Sequence, residues 1–233
     1  GQGFYKKEGK IIRVLDLNTL VYRDKKRSNF ATLELTKSID NVIDRFKVLV
    51  DGEDKAGEFY RKNFAAMFAY VCNRIPEISE ELFKIDDAMK AGFGWEHGPF
   101  QIWDAVGVEK GLALIKAEGL TAAQWVFDMV ALGNNSFYTI ENGATFAFDI
   151  ATKKQLKIPG QDAFIILDNI RKSNEVFKNA GVVIEDLGDG ILNCEFRSKM
   201  NTIGGDVLSG LNKAVNLAEQ NFDGLVIGNP VSY

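Results

Sequence analysis

A stretch near the front of the chain recurs 133 residues later. Residues 3–19, GFYKKEGKIIRVLDLNT, align without a gap to residues 136–152, SFYTIENGATFAFDIAT. Phe4, Tyr5, Glu8, Asp16 and Thr19 return as Phe137, Tyr138, Glu141, Asp149 and Thr152. Five identities in 17 positions exceed the roughly one that ordinary residue frequencies give. Each copy reads as a β-hairpin: an aromatic pair opens one strand, a polar turn containing glycine follows, and a β-rich strand comes after it. A duplicated ribbon constrains the fold to a repeat architecture. It makes residues 1–23 the tail of a preceding unit, and 136–152 the matching tail of the next.

Between the two copies the apolar residues recur with helical spacing. Ile39, Val42, Ile43, Phe46 and Leu49 stripe one face of a helix that Ser38 is placed to cap. Residues 59–71 are apolar on most faces, as a buried helix requires. Pro76 is expected to open the next helix, with Glu77, Glu80 and Glu81 near its positive end and Leu82, Ile85 and Met89 facing inward. Gly92-Phe93-Gly94 ends it, and Pro99 restarts helix with Phe100, Trp103 and Val106 inward. Two short helices, 108–118 and 121–132 with Thr121 as cap, complete an all-α bundle that the second hairpin closes.

The pattern changes after Pro159-Gly160. Residues 161–180 carry one more helical stripe (Phe164, Leu167, Ile170, Val176, Phe177), expected to form a linker helix. Residues 182–184 and 191–196 read as strands joined by an acidic turn, 207–220 as an amphipathic helix and 224–228 as a buried strand, which together make a parallel crossover unit. One crossover cannot cover both faces of a parallel sheet, so this unit is expected to be incomplete.

With 28 basic and 32 acidic side chains the net charge is −4, no footprint for a nucleic-acid backbone. The longest apolar runs fall far short of the roughly 20 residues that span a bilayer, so no membrane span is expected. No secretory leader pattern opens the chain, and Cys72 and Cys194 lack a CxxC partner, which points to a reducing cytoplasm and two free buried thiols. His97 is the single histidine, so a multi-histidine metal centre is excluded and no metal site is expected. It reads as a loop histidine, since no nucleophile motif accompanies it. The acidic pairs Asp86-Asp87 and Glu80-Glu81 and the group Asp51, Glu53 and Asp54 read as solvated faces or caps. Asn73-Arg74 reads as the end of a buried helix.

The segment 197–206 offers the most chemistry. It leaves a strand, carries Arg197 and Lys199, and enters a helix through Asn201 or Thr202. Two cations beside unpaired helix-start amides suit a phosphate-bearing tail; a plain strand-to-helix turn accounts for the same residues.

Ile85-Asp86-Asp87-Ala88-Met89-Lys90-Ala91-Gly92-Phe93-Gly94-Trp95-Glu96-His97-Gly98-Pro99-Phe100, followed by Asp104 and Gly107, resembles the D-x-A-M-x-x-G-F-G-x-x-x-G-P-F-x-x-x-D-x-x-G signature of the C-terminal helical domain of 3-hydroxyacyl-CoA dehydrogenases. Gly3-Phe4-Tyr5 resembles the close of that domain's first copy. Residues 181–228, with Lys199-Met200-Asn201-Thr202 entering a helix, are similar to the start of an enoyl-CoA hydratase (crotonase) domain. The order resembles bacterial bifunctional β-oxidation enzymes.

The resemblance implies a mainly α fold, a helical bundle of the 6-phosphogluconate dehydrogenase C-terminal-like type with a β-hairpin over 24–160, plus a truncated α/β crotonase-like unit over 161–233. It implies a parent enzyme of fatty-acid oxidation that uses NAD and coenzyme A thioesters, whose Rossmann portion and remaining crotonase portion lie outside this chain. It places no catalytic residue here, His97 included, and gives coenzyme A the turn Arg197, Lys199, Met200, Asn201 and Thr202. The fragment is then expected to be inactive alone. The rival reading is a non-catalytic helical module for docking or for a homodimer, pairing through the strand edge at 225–228.

Overall fold

The computed structural model describes residues 3–26, 29–39 and 41–229. Two three-stranded antiparallel ribbons repeat the sequence echo in three dimensions. The first comprises β1 (Tyr5–Glu8), β2 (Ile11–Leu15) and β3 (Tyr22–Asp24); the second, which follows seven helices, comprises β4 (Tyr138–Glu141), β5 (Ala144–Asp149) and β6 (Lys154–Lys157). Both expected hairpins thus acquire a third strand. Their registers coincide at the offset of the echo: Tyr5 pairs with Val14 and Tyr138 with Ala147, while Arg13 pairs with Asp24 and Phe146 with Lys157. Left-handed backbone recurs at Leu20 and Lys153, and the side chains of Tyr22 and Gln155 donate to the carbonyls of Gly3 and Ser136. These matching bonds make the two ribbons one duplicated structure.

The bundle between them comprises α1 (Ala31–Thr36), α2 (Val42–Asp51), α3 (Lys55–Asn73), α4 (Leu82–Phe93), α5 (Pro99–Val106), α6 (Val108–Ala117) and α7 (Gln124–Ala131). Pro99 opens α5 and Gly94, at φ +65°, closes α4, as their backbone preferences dictate. Four expectations are corrected. Asn41, not Ser38, caps α2, accepting from the amides of Ile43 and Asp44. Pro76 lies in a turn, and α4 begins six residues later at Leu82, so Glu77, Glu80 and Glu81 precede the helix. Thr121 does not cap α7, which starts after Ala123; its carbonyl instead accepts from the Asn73 side chain at the end of α3. Residues 161–180 are not one helix. A single 3-10 turn at Gln161–Ala163 precedes α8 (Leu167–Asn174), and β7 (Glu175–Lys178) then pairs antiparallel with the next strand. Neighbouring β8 satisfies the backbone of 175–178 better than a further helical turn exposed to water would.

A mixed sheet follows, ordered β10-β9-β8-β7, with β8 (Val182–Gly188) and β9 (Ile191–Phe196) antiparallel. Helix α9 (Gly205–Asn221) crosses over to β10 (Gly224–Val226), which runs parallel to β9, the topology read from the sequence. Alternation puts Val182, Ile184, Leu192 and Cys194 on one face, sealed by Val207 and Ala214 of α9. The other face is polar: Glu185, Asn193 and Glu195 are fully buried there, with Arg171 of α8 bonded to Glu195. Asn201 and Thr202 do not cap α9. The cap position is Gly204, which has no side chain to offer.

Candidate functional site

The bundle's core is an aromatic stack. Phe68 lies against Trp103 at 4.7 Å between ring centres, and Phe137 of the second ribbon inserts edge-on between Phe100 (5.1 Å), Trp103 (5.1 Å) and Trp125 (5.8 Å). Indole N–H groups so deeply placed need acceptors, and they find the carbonyls of Val108 and Cys72.

Two buried carboxylates hold this arrangement. Gly98 precedes α5 without a capping side chain, and Asp86, from the middle of α4, supplies the missing oxygen: its carboxylate accepts from the amides of Phe100 (2.9 Å) and Gln101 (3.0 Å) and from the Tyr138 hydroxyl (2.9 Å). Gln101 completes the cap by accepting from the Gly98 amide at 2.9 Å. Asp104, at the far end of α5, accepts from the amides of Phe137 (2.7 Å) and Tyr138 (2.9 Å) and from the Ser136 hydroxyl (2.8 Å). One helix thus receives a carboxylate at its positive end and extends another to the ribbon. Of the two readings given for Asp86, solvated face or cap, the structure shows the cap: the residue is buried and caps the next helix rather than its own, whereas Asp87 is exposed.

This geometry explains one glycine of the motif, Gly98, and a second just beyond it, Gly111. A Cβ on Gly98 would lie 2.3 Å from Asp86 Cβ and Cγ, and one on Gly111 would lie 2.0 Å from the Trp103 indole nitrogen. Gly98→Ala is expected to lose about 2 kcal/mol, since either the Asp86 cap or the start of α5 must shift. Urea unfolding followed by tryptophan fluorescence measures it, and an unaltered midpoint would show that the approach is not constrained.

Burial dominates the electrostatics. It pushes the Asp86 carboxyl up to about 6 and the Asp104 carboxyl up to about 7, the latter helped by the charge on Asp86 and opposed in both by their donated hydrogen bonds. Burial and the Asp86 charge raise the Tyr138 phenol, which therefore stays a donor. An acid whose folded value is raised binds its proton in the folded chain before the unfolded one does, so these groups favour folding more at pH 5 than at pH 8. Titration followed at the carboxyl carbons should give midpoints near 6 and 7; midpoints near 4 would place both groups in an aqueous environment.

The residues expected to meet coenzyme A lie elsewhere, on the turn between β9 and α9. Arg197, Lys199, Met200, Asn201 and Thr202 are all exposed. Met200 and Asn201 both take positive φ, +56° and +54°, in a 3-10 turn that bonds from Thr202 Oγ1 to the Lys199 carbonyl and from Ser198 Oγ to the Thr202 carbonyl close. Arg197 is tied to buried Glu195 at 2.8 Å. Lys199 has no carboxylate partner among the described residues. His97 sits in the α4–α5 loop, its imidazole held below its ordinary range by burial. Both thiols are buried, and burial raises them, Cys194 to about 11. Among the described residues no group of three or more metal-ligating side chains gathers, and no helix is long and apolar enough to cross a membrane.

Sequence reasoning missed the roles of Asp86, Asp104 and Tyr138. The available signal was Gly98: a helix start with no capping side chain must borrow an oxygen from elsewhere in the fold.

Comparison with known proteins places this geometry. Residues 59–149, which contain both carboxylates, the aromatic stack and the first two strands of the second ribbon, match the family model of the 3-hydroxyacyl-CoA dehydrogenase C-terminal domain. A "Probable 3-hydroxyacyl-CoA dehydrogenase" of Bacillus subtilis is 36% identical over 230 residues, 98% of this chain and 29% of the relative. A "Putative fatty acid oxidation complex trifunctional enzyme" of Rickettsia felis is 24% identical over 104 residues (43% of this chain, 13% of the relative), and one of Rickettsia prowazekii is 24% identical over 117 residues (48% and 15%). The chain thus spans less than a third of the length of these curated relatives. No solved structure matches it. Residues 59–149 are thus similar to the 3-hydroxyacyl-CoA dehydrogenase C-terminal domain, and within them Asp86 and Asp104 tie α4, α5 and the second ribbon together.

Proposed function

We propose that this chain is the middle of a cytoplasmic fatty-acid oxidation enzyme that oxidises 3-hydroxyacyl-CoA with NAD and hydrates 2-enoyl-CoA, contributing the dehydrogenase's helical domain and the opening of a crotonase-like domain. The carrying observation is the Asp86–Gly98–Asp104 arrangement within the matched residues 59–149. Support for the second half is its topology, an antiparallel pair whose second strand continues through α9 to a parallel partner, and the turn that enters α9.

No residue here is assigned a part in hydride transfer. The glycine pair Gly204-Gly205 ahead of α9 lacks the spacing that lets a backbone wrap a dinucleotide pyrophosphate, so NAD does not fit the residues present. Coenzyme A suits the 197–202 turn better. Lys199 supplies positive charge, Arg197 adds a guanidinium that it shares with Glu195, the left-handed Met200 and Asn201 turn the backbone sharply, and Gly204 leaves the first amides of α9 without a side-chain acceptor. In this reading the turn binds and orients a phosphate-bearing tail, while the groups that activate water and hold the thioester oxyanion belong to the rest of the hydratase.

Two measurements test the reading. This chain alone should reduce no NAD with a 3-hydroxyacyl-CoA; measurable turnover would refute the assignment of its parts. In the longer polypeptide that completes the hydratase, Arg197→Ala with Lys199→Ala should weaken coenzyme A binding about tenfold by calorimetry, the loss of two charge-assisted contacts. Unchanged affinity would leave the turn a structural element.

A further inference from the structure

The polar face of the mixed sheet sets two carboxyl groups against one partly buried guanidinium. Glu185 of β8 and Glu195 of β9 are completely buried, and Asn193 beside them nearly so. Glu195 is well supplied with donors: Arg171 reaches both of its oxygens and Arg197 one of them. Glu185 is not. Its Oε2 accepts from the Asn193 side chain at 3.0 Å, but its Oε1 has no hydrogen-bond partner; the nearest cationic nitrogen, Arg171 Nε, stands 3.7 Å away and already bonds Glu195 at 3.2 Å. Asn193 cannot turn to help, because its carbonyl oxygen accepts the Gly228 amide at 3.0 Å and its amino group must therefore face Glu185. A buried, charged oxygen without a donor is among the costliest arrangements in a fold. The two carboxyl groups are within hydrogen-bonding reach of each other, so a hydroxyl on Glu185 Oε1 would give both what they lack.

We propose that Glu185 is a neutral acid whose Oε1 proton is donated to Glu195, and that this shared proton keeps α8 seated on the sheet. With the proton in place, one negative charge faces Arg171; when it leaves for solvent, two do. Among the described residues no other element brings a buried cation. On α8, Asp168 pairs with Arg171 and adds negative charge, while Lys172 is exposed. Glu175 of β7 stands opposite Glu185 in the ladder and is exposed, as is Arg197. Strand β10 carries no titratable side chain, and α9 packs on the other face, where Cys194 lies. Burial, and after it the charge of Glu195, accordingly holds the Glu185 carboxyl above its ordinary range, against the Asn193 bond and the Arg171 charge.

Helix α8 is suited to respond. None of its residues is fully buried, and it meets the sheet through Arg171 and one neutral bond from Asn174 to the Asp186 carbonyl. Its other side is tied to the second ribbon, where Asn169 donates to the Gly143 carbonyl and the Thr145 hydroxyl. The shared proton thus controls the joint between ribbon and sheet. With α8 lifted, water reaches Glu185 and the carboxyl titrates in its ordinary range. Lifting therefore becomes easier as the pH rises from that range through the raised value, and no easier beyond it.

Glu185→Gln copies the proposed state, since its carbonyl accepts from Asn193 and its amino group donates to Glu195. In the unaltered chain, hydrogen-exchange protection at the α8 and β8 amides, corrected for intrinsic rates, should fall about tenfold or more from pH 5 to pH 8, as a carboxyl raised by one pH unit requires. In Glu185→Gln this fall should vanish, and protection at pH 8 should exceed that of the unaltered chain. Glu195→Gln, which turns an amino group toward the donors of Arg171 and Arg197, should lower protection at both pH values. Three results would each overturn the proposal: protection independent of pH in the unaltered chain, a Glu185→Gln chain that is less protected at pH 8 or fails to fold, or a Glu195→Gln chain as well protected as Glu185→Gln. A Glu185 carboxyl carbon that titrates in the ordinary glutamate range would do the same.

Discussion

Exchanging Asp104 for asparagine is expected to destabilise the helical domain by about 3 kcal/mol, since bonds to a charged acceptor are worth about 1.5 to 3 kcal/mol each and the change is nearly isosteric. Every neighbour of that carboxylate is a donor: two backbone amides and a hydroxyl. An asparagine can turn its carbonyl toward only one side. Its amino group then faces the amide of Phe137 or that of Tyr138, donor against donor in a buried place. Denaturation followed by Trp103 and Trp125 fluorescence measures the loss. Ser136→Ala, which removes one donor and leaves the carboxylate, should cost less than half as much. A loss below about 1 kcal/mol for Asp104→Asn would mean that the ribbon is held by Phe137 packing alone.

Arg171→Ala is expected to be the most damaging change in the second half of the chain, about 3 kcal/mol, because it strips buried Glu185 of its nearby guanidinium and leaves Glu195 paired with Arg197 alone. Arg171 donates to both oxygens of Glu195, at 2.9 Å each, and its guanidinium lies 3.7 Å from Glu185. Glu185 and Glu195 are fully buried on one face of the sheet, where burial and the neighbouring carboxylate already raise Glu185. Without the arginine, the two carboxylates repel in a low dielectric. Exchange of the β8 and β9 amides reads the loss locally. The penalty should shrink between pH 8 and pH 5, because a raised carboxyl takes up its proton in that window and one repelling charge disappears. A penalty equal at both pH values would place the damage in lost packing of the arginine stem. Arg171→Lys should recover only a part, since a single ammonium replaces Nη2 at Glu195 but not the Nε that bonds Glu195 at 3.2 Å and lies 3.7 Å from Glu185.

Much of the architecture was legible because it is written locally. The helical stripes of α2 and α3, the proline that opens α5 and the glycine that closes α4 each act within a few residues of chain. The duplicated ribbon was legible as a comparison of the chain with itself, and its meaning sharpened when the two registers proved the same. The crossover from β9 through α9 to β10 followed from an all-apolar strand after an amphipathic helix. Where local signals compete, the reading failed. Val176 and Phe177 continue a helical stripe on paper, yet the edge of β8 offers their backbone a ladder. Pro76 is compatible with a helix start, but the residues after it form a turn before α4 begins.

The candidate binding turn was found from its charges, and the structure keeps all five of its residues together on one exposed loop. The groups that hold the helical domain together were not found. Asp86 and Asp104 look, in one dimension, like any acidic residues on a helix; their donors lie 14 and 33 residues away along the chain. Glu185 and Glu195 sit in strands whose alternation predicts only that they share a face, and nothing local tells whether that face meets water or an arginine.

Periodicity, turn chemistry and self-similarity therefore determine the elements, their order and the duplication, because each depends on contacts a few residues apart or on repetition itself. Which carboxylates are buried, which helix start borrows its cap and which of two equivalent ribbons is covered were decided only in three dimensions. Burial is a property of what packs from elsewhere in the chain, and the same Phe-Tyr pair is sheltered at 137–138 and bare at 4–5 for that reason alone.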